Sequence, residues 1–157
     1  MDMLIKLYPP PAVPLADLGG AVVRKPIGPE HDAVTRWVAA RFGPGWVSEA
    51  KVALSNRPVT LWIASRDSQL LGFACFDATA RGFFGPIGVD DAARAQGIGA
   101  ALLLACLHDM RSFGYGYAIA GGVGAPGFFE RVAGAVEIAD SSPGLYADRL
   151  SPEPAGP

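Results

Sequence analysis

A chain of 157 residues, half of them hydrophobic and 18 % charged, has room for one domain with a real core and is not a disordered polymer. A formal net charge of −2 argues against nucleic acid as the ligand, since phosphate-backbone binders are usually basic, and no apolar run is long enough to span a membrane. Two cysteines, Cys75 and Cys106, are too few for a disulfide framework or a thiolate metal site, so no metal is expected and reduced thiols in a cytoplasmic protein are the simple reading.

Residues 4–8 predict a short strand, stopped by Pro9, Pro10 and Pro11. A connector follows to residue 20, with a helical turn expected at 15–18. Residues 21–27 predict a strand. Pro29, Glu30 and Asp32 suit a helix start, and Val34, Trp37, Val38 and Arg41 keep helical spacing. The run Phe42-Gly43-Pro44-Gly45 is expected to end that helix, and Ser48 to cap a shorter one over 49–55. Residues 59–65 and 70–77 alternate as two strands of a hairpin about the turn 66–69. On the second, Leu71, Phe73, Cys75 and Asp77 are expected to share a face. Residues 82–89 predict a strand weakened by Gly85, Pro86 and Gly88, which points to a bulge or to a strand leaving its neighbour.

Next comes Arg94-Ala95-Gln96-Gly97-Ile98-Gly99-Ala100, opening into an apolar helical run to about residue 113. Strand, glycine-rich turn and helix is how a backbone presents several N–H groups to a phosphate, because the first turn of a helix has unpaired donors and partial positive charge. The pattern predicts that this turn holds the pyrophosphate of a cofactor. A strand over 117–120 completes a strand–helix–strand unit. A second glycine cluster, 121–124, leads to a helix over 126–133, Gly134, and a strand over 135–139. Residues 151–157 are expected to be a disordered tail.

Val89 to Leu103, with Arg94, Gly97 and Gly99 in the pattern Arg/Gln-x-x-Gly-x-Gly/Ala, resembles motif A of the GNAT superfamily of N-acetyltransferases. Phe128-Phe129-Glu130-Arg131 through Ile138 resembles that superfamily's closing helix–glycine–strand. The resemblance covers residues 21–150, taken as the acetyltransferase domain, with 1–20 as an added strand and connector. It implies an α/β (α+β) fold: a mixed central sheet with helices on both faces and the fourth and fifth core strands splayed apart. The chain is also similar to an uncharacterised subgroup with an extra N-terminal strand and a Pro-Gly-x-Tyr ending.

The resemblance implies acetyl-CoA as co-substrate, lying where those strands separate. The backbone of Ile87, Gly88 and Val89 would bond the pantetheine amides. The N–H groups of Ala95, Gln96, Gly97, Ile98, Gly99 and Ala100 would cradle the pyrophosphate, with Phe128 alongside. Arg94 either adds a phosphate contact or caps the turn. Acetyl transfer to an amine needs a base, an oxyanion donor and a route for the leaving thiolate. The donor is expected to be the Val89 N–H. Relatives often place a Tyr acid where this chain has Phe129, which carries no acidic proton, so either another group serves or the thiolate leaves unaided. Tyr146 is the substitute candidate, or else a packing residue. Asp77 and Glu49 are the candidate bases. Cys75 has no neighbouring His and is expected to be inert.

The implied activity is transfer of acetyl from acetyl-CoA to a primary amine of a small molecule or peptide, by direct transfer, in a protein that can be a homodimer. The alternative is a non-catalytic acyl-CoA-binding sensor of the same fold. A nucleotide-binding reading lacks the P-loop Lys and the third glycine of the dinucleotide fingerprint.

Overall fold

The computed structural model describes residues 1–12 and 17–150. The expected tail at 151–157, and residues 15 and 16 of the helical turn expected at 15–18, lie outside the described residues, while residues 17 and 18 are not helical. Seven strands form one mixed sheet: β1 (Met3–Lys6), β2 (Val22–Arg24), β3 (Leu61–Arg66), β4 (Gln69–Phe76), β5 (Phe83–Val89), β6 (Tyr117–Ala120) and β7 (Val136–Glu137), in the spatial order β2-β3-β4-β5-β6-β1-β7. Helices α1 (His31–Arg41) and α2 (Pro44–Ser55) cover one face, and α3 (Ile98–Ser112) with α4 (Pro126–Ala133) cover the other. Among the described residues no helix is long and apolar enough to cross a membrane.

The two faces bury different residue sets. Phe73 and Cys75 of β4 pack with Val34, Val38, Ala50 and Ala53 beneath α1 and α2, whereas Ala74 and Phe76 pack with Leu102, Leu103, Cys106 and Leu107 of α3. Each fully buried Leu or Phe contributes on the order of 1.5–3 kcal/mol. Leu71 departs from the alternation expected of it. Ala64 pairs with Gly72 but Ser65 with Leu70, so Leu71 is the extra residue of a bulge and turns to the α3 face, opposite Phe73. The hairpin turn itself carries φ of 50° at Asp67 and 62° at Ser68, the mirror-type geometry that matches strand twist.

Two boundaries differ instructively. The second helix starts at Pro44, five residues before the predicted 48/49 boundary, with Gly43 as its N-cap and no side-chain cap bond. Pro44 sits in the first turn, where its missing N–H is no loss, so the Gly-Pro pair starts α2 rather than merely ending α1. The N-terminal strand is not an edge decoration. Residues 3–6 lie between β6 and β7, antiparallel to both, with Met3, Ile5 and Leu7 fully buried.

The strand that the sequence marked as weak is bulged. Ala74 pairs with Ile87 and Phe76 with Phe84, so β5 spends one extra residue at Gly85-Pro86. On its other edge β5 pairs in parallel with β6 only through Phe83↔Ile119 and Phe84↔Ala120. Beyond that point the two strands separate.

Candidate active site

The separation leaves the second half of β5 with one open edge. The Asp90 N–H donates to the Leu71 carbonyl at 2.8 Å, toward β4. Strand backbone alternates, so Val89 and Ile87 turn their N–H and C=O groups the other way, toward the gap that β6 has left. Gly88, between them, is required by close approach. A Cβ there would lie 2.4 Å from Cζ of Phe42, which packs against this stretch of β5 from the loop between α1 and α2.

The chain then enters the glycine-rich turn. Asp90 caps a 3-10 turn over Asp91–Ala93, accepting the Ala92 N–H at 3.1 Å. Gly97 has φ of 80° and is the N-cap of α3. A side chain is strained in that conformation, so glycine is needed here. The first bond of α3 is from the Ala101 N–H to the Gly97 carbonyl, 3.0 Å. Among the described residues no group accepts from the N–H groups of Ala95, Gln96, Gly97, Ile98, Gly99 or Ala100. Six free donors at the positive end of a long helix suit a multiply charged anion. The buried side chains of Ala93 and Ile98 hold the turn to the core. Arg94 is 65 % exposed and pairs with Asp91 at 3.1 Å, an exposed pair that holds it weakly and leaves both roles, cap and phosphate contact, open to it. Gln96 accepts weakly from Arg66 at 3.4 Å.

A groove of about 1490 Å³ lies along the sheet's open edge, bordered by Ile87 and Phe128 on the side nearest the turn. Phe84, Ile87, Phe128 and Phe129 form one wall, residues 120–125 another, and α2 with the C-terminal segment close it. Phe128 joins groove to turn: its ring would stand 3.6 Å from a Cβ at Gly99, with Val89 Cγ2 at 3.8 Å. Phe129 stacks edge-on to Phe84 and Phe128, centroids 5.9 and 5.2 Å away, and serves as an apolar wall.

Glu49 and Tyr146, separated by 97 positions in the chain, both line this groove. Between them sits Thr79, whose hydroxyl donates to Oε1 of Glu49 at 2.5 Å. Burial pushes the Tyr146 phenol above its ordinary value, against a neighbouring Thr79 hydroxyl that favours the charged form, and the Glu49 carboxylate adds to the rise. A phenol so placed stays protonated throughout the neutral range and can donate.

Asp77 is not part of this arrangement. Its φ is 51°, and its carboxylate accepts from the Tyr115 hydroxyl at 2.8 and 2.9 Å and from the Gly82 N–H at 2.8 Å. It lines a separate cavity of about 230 Å³ with Arg57 and Arg81. These bonds close the 77–82 loop, and burial first, then the bond to Asp77, raises the Tyr115 phenol. Cys75 and Cys106 are buried, and burial pushes both thiols well above their usual value.

Four contributors escaped the sequence reading. Thr79 lies in a loop with no motif. Arg149 lines the groove from the C-terminal segment. Gly122 has φ of 59° and faces the Tyr146 ring, with Cε2 only 3.1 Å from where a Cβ would be. Asp2 accepts the Gly122 N–H at 2.9 Å and thereby fixes the glycine wall to the N-terminal strand. The cluster at 121–124 was the one available signal, since its glycines serve no hairpin.

The acetyltransferase (GNAT) family model matches residues 31–135. The chain belongs to the GNAT acetyltransferase family. Solved structures agree on the fold. The GNAT chain matches a GCN5-related N-acetyltransferase from Sphaerobacter thermophilus with a TM-score of 0.63 at 24 % identity, over 86 % of this chain and 47 % of that one. It matches a GCN5-related glucosamine N-acetyltransferase region of a fungal multi-domain GH3 beta-N-acetylglucosaminidase with a TM-score of 0.66 at 13 % identity, over 84 % and 19 %. A functionally unknown conserved protein from Staphylococcus epidermidis ATCC 12228 gives 0.55 at 16 % identity, over 86 % and 56 %. The chain therefore spans between about a fifth and about half of the length of these proteins. No curated protein matches it.

Proposed function

We propose that the protein is an acetyl-CoA-dependent N-acetyltransferase acting on a primary amine by direct transfer. The observation that carries the reading is the continuity of three features: an open strand edge at Ile87 and Val89, six free N–H donors at residues 95–100 beyond it, and a groove holding Glu49 and Tyr146 before it.

The residues fit the co-substrate. Free N–H groups at the turn suit a pyrophosphate, each charge-assisted bond being worth about 1.5–3 kcal/mol. The open edge of β5 suits the amides of a pantetheine arm, bound as an added strand. Acetyl-CoA supplies an activated acyl group on a thiol leaving group. Glu49 takes the proton of the incoming ammonium, so that the neutral amine attacks. The Val89 N–H donates to the acyl oxygen, where negative charge develops. Tyr146 offers its proton to the departing sulfur. A nitrogen–carbon bond forms and the carbon–sulfur bond breaks; the second nitrogen proton restores the Tyr146 phenol, and the ammonium proton held by Glu49 is the one released to solvent. Asp77 has no role here, because its carboxylate is engaged outside the groove.

Free-thiol release from acetyl-CoA with a panel of small primary amines and peptides tests the reading, beside thermal shift with CoA, ATP and NAD. The expected result is stabilisation by CoA alone and turnover of at least one amine. Binding of acetyl-CoA without turnover of any amine would make the protein a sensor of acyl-CoA. Stabilisation by ATP or NAD instead of CoA would overturn the cofactor.

A further inference from the structure

The groove is lined mainly by apolar residues and backbone, and among its described residues only Glu49 and Arg149 are charged. Their placement is specific. Gly45 and Glu49 are four residues apart in α2, so they share one helix face, about 6 Å apart along the axis. Nη1 of Arg149 lies 4.0 Å from where a Cβ on Gly45 would stand. The guanidinium therefore lies over α2 one turn before the root of the Glu49 carboxylate. The turn after Tyr146 carries it there, with the Arg149 N–H donating to the Tyr146 carbonyl at 3.4 Å. The two charges do not neutralise each other. Among the described residues neither forms an ion pair, and Glu49 receives a single hydrogen bond, from Thr79. Both act on the same phenol, since Glu49 opposes and Arg149 favours ionisation of Tyr146. Trp46, Val52, Leu145 and Leu150 supply apolar wall around them.

We propose that the acceptor is a free α-amino acid with an apolar side chain, its ammonium on Glu49 and its carboxylate on Arg149. This inference rests on the acetyl-transfer reading. A guanidinium grips a carboxylate with two parallel bonds. A free amino acid carries that carboxylate one carbon from the reacting nitrogen. A lysine side chain within a protein, or the first residue of a peptide, does not. A site with an unfilled charged group discriminates strongly against a ligand lacking the partner.

The test compares leucine with isoamylamine, and phenylalanine with phenethylamine, by thiol release and kcat/KM, in the wild type, Arg149→Gln and Arg149→Lys. The within-variant ratio of amino acid to decarboxylated partner is the readout. Comparing that ratio between variants cancels differences in amine basicity. The expected result is that Arg149→Gln lowers the ratio by about tenfold or more, equal to about 1.4 kcal/mol, mainly through KM, and that Arg149→Lys keeps part of the preference. An unchanged ratio, with amines still turned over, overturns the amino-acid assignment and leaves acetyl transfer standing. Better use of peptide amines than of free amino acids does the same. Failure to turn over any amine while acetyl-CoA binds overturns the acetyl-transfer reading, and this inference with it.

Discussion

The two ends of the candidate site are built from different materials. The turn at 94–100 is contiguous in sequence and offers backbone: six N–H groups, oriented by a positive φ at Gly97 and a buried Ile98. The opposite end offers side chains, and they come from four distant places. Glu49 is on α2, Thr79 is in a loop, Tyr146 and Arg149 are in the C-terminal segment, and the glycine wall is tied down by Asp2. A backbone site tolerates loss of most single side chains and fails when its conformation is disturbed. A side-chain site does the reverse. If transfer runs as proposed, each end has its own mode of failure.

The largest expected effect is at the side-chain end. Glu49→Gln keeps the shape and a hydrogen-bond acceptor for Thr79 but cannot take a proton. It should lower kcat by roughly 10²–10⁴-fold, the usual range for a general base, while the acetyl-CoA Kd stays within about twofold. Stopped-flow thiol release and calorimetric titration of the co-substrate separate the two quantities. A Glu49→Gln enzyme with wild-type kcat would remove Glu49 from the chemistry and blur the contrast between the ends.

At the backbone end the effect falls on affinity. Gly97→Val forces a β-branched residue to φ near 80°, a strain of about 1–3 kcal/mol. The acetyl-CoA Kd should rise by about 5- to 100-fold, with kcat at saturation little altered. Gly97→Ala, milder in bulk, should shift Kd in the same direction. Arg94→Ala removes an exposed charge and should change Kd by no more than about threefold, as exposed ion pairs are worth little. Should Arg94→Ala prove the more damaging of the two, the turn binds through its side chains and not its backbone.

This contrast also explains what the sequence disclosed. A backbone site must be encoded locally, because glycines and a helix start have to follow one another, so Arg94 to Ala100 was readable as a candidate anion cradle and, with Phe128 and Phe129, as a GNAT pattern, which the family match bears out. The weakness of β5 was readable for the same reason, since Pro86 has no N–H for a ladder. The mixed sheet was legible from the strand–helix–strand unit, but the place of β1 between β6 and β7 was not, because pairing partners leave no local mark. Nor was the Glu49–Thr79–Tyr146 grouping, whose members meet only through tertiary folding. Asp77 looked equivalent to Glu49 on the page. Only the bonds from Tyr115 and Gly82 separate them. The Leu71 bulge likewise defeated a period-two count, as one extra residue reverses the faces.

One ion pair ties the first helix to the backbone end. Arg41, at the end of α1, donates to Oδ2 of Asp90 at 2.9 Å, and Asp90 caps the turn that leads into the cradle. Asp90 is held below the usual carboxylate range, first by the Ala92 N–H and then by Arg41. A depressed folded value means that the charged form stabilises the native state. That contribution is complete above the unfolded value of about 3.9 and is lost as pH falls through the lower folded one. Asp90→Asn should therefore lower Tm slightly near neutrality, by no more than about 2 °C for so exposed a group. The gap from wild type should narrow steadily once pH drops below about 4, where wild-type Asp90 also loses its charge. Thermal melts of both proteins between neutral and acidic pH read this directly. A gap that stayed constant with pH would assign the effect to the cap's shape, and the α1–cradle link would then be steric, through Phe42 on Gly88, with charge having no part in it.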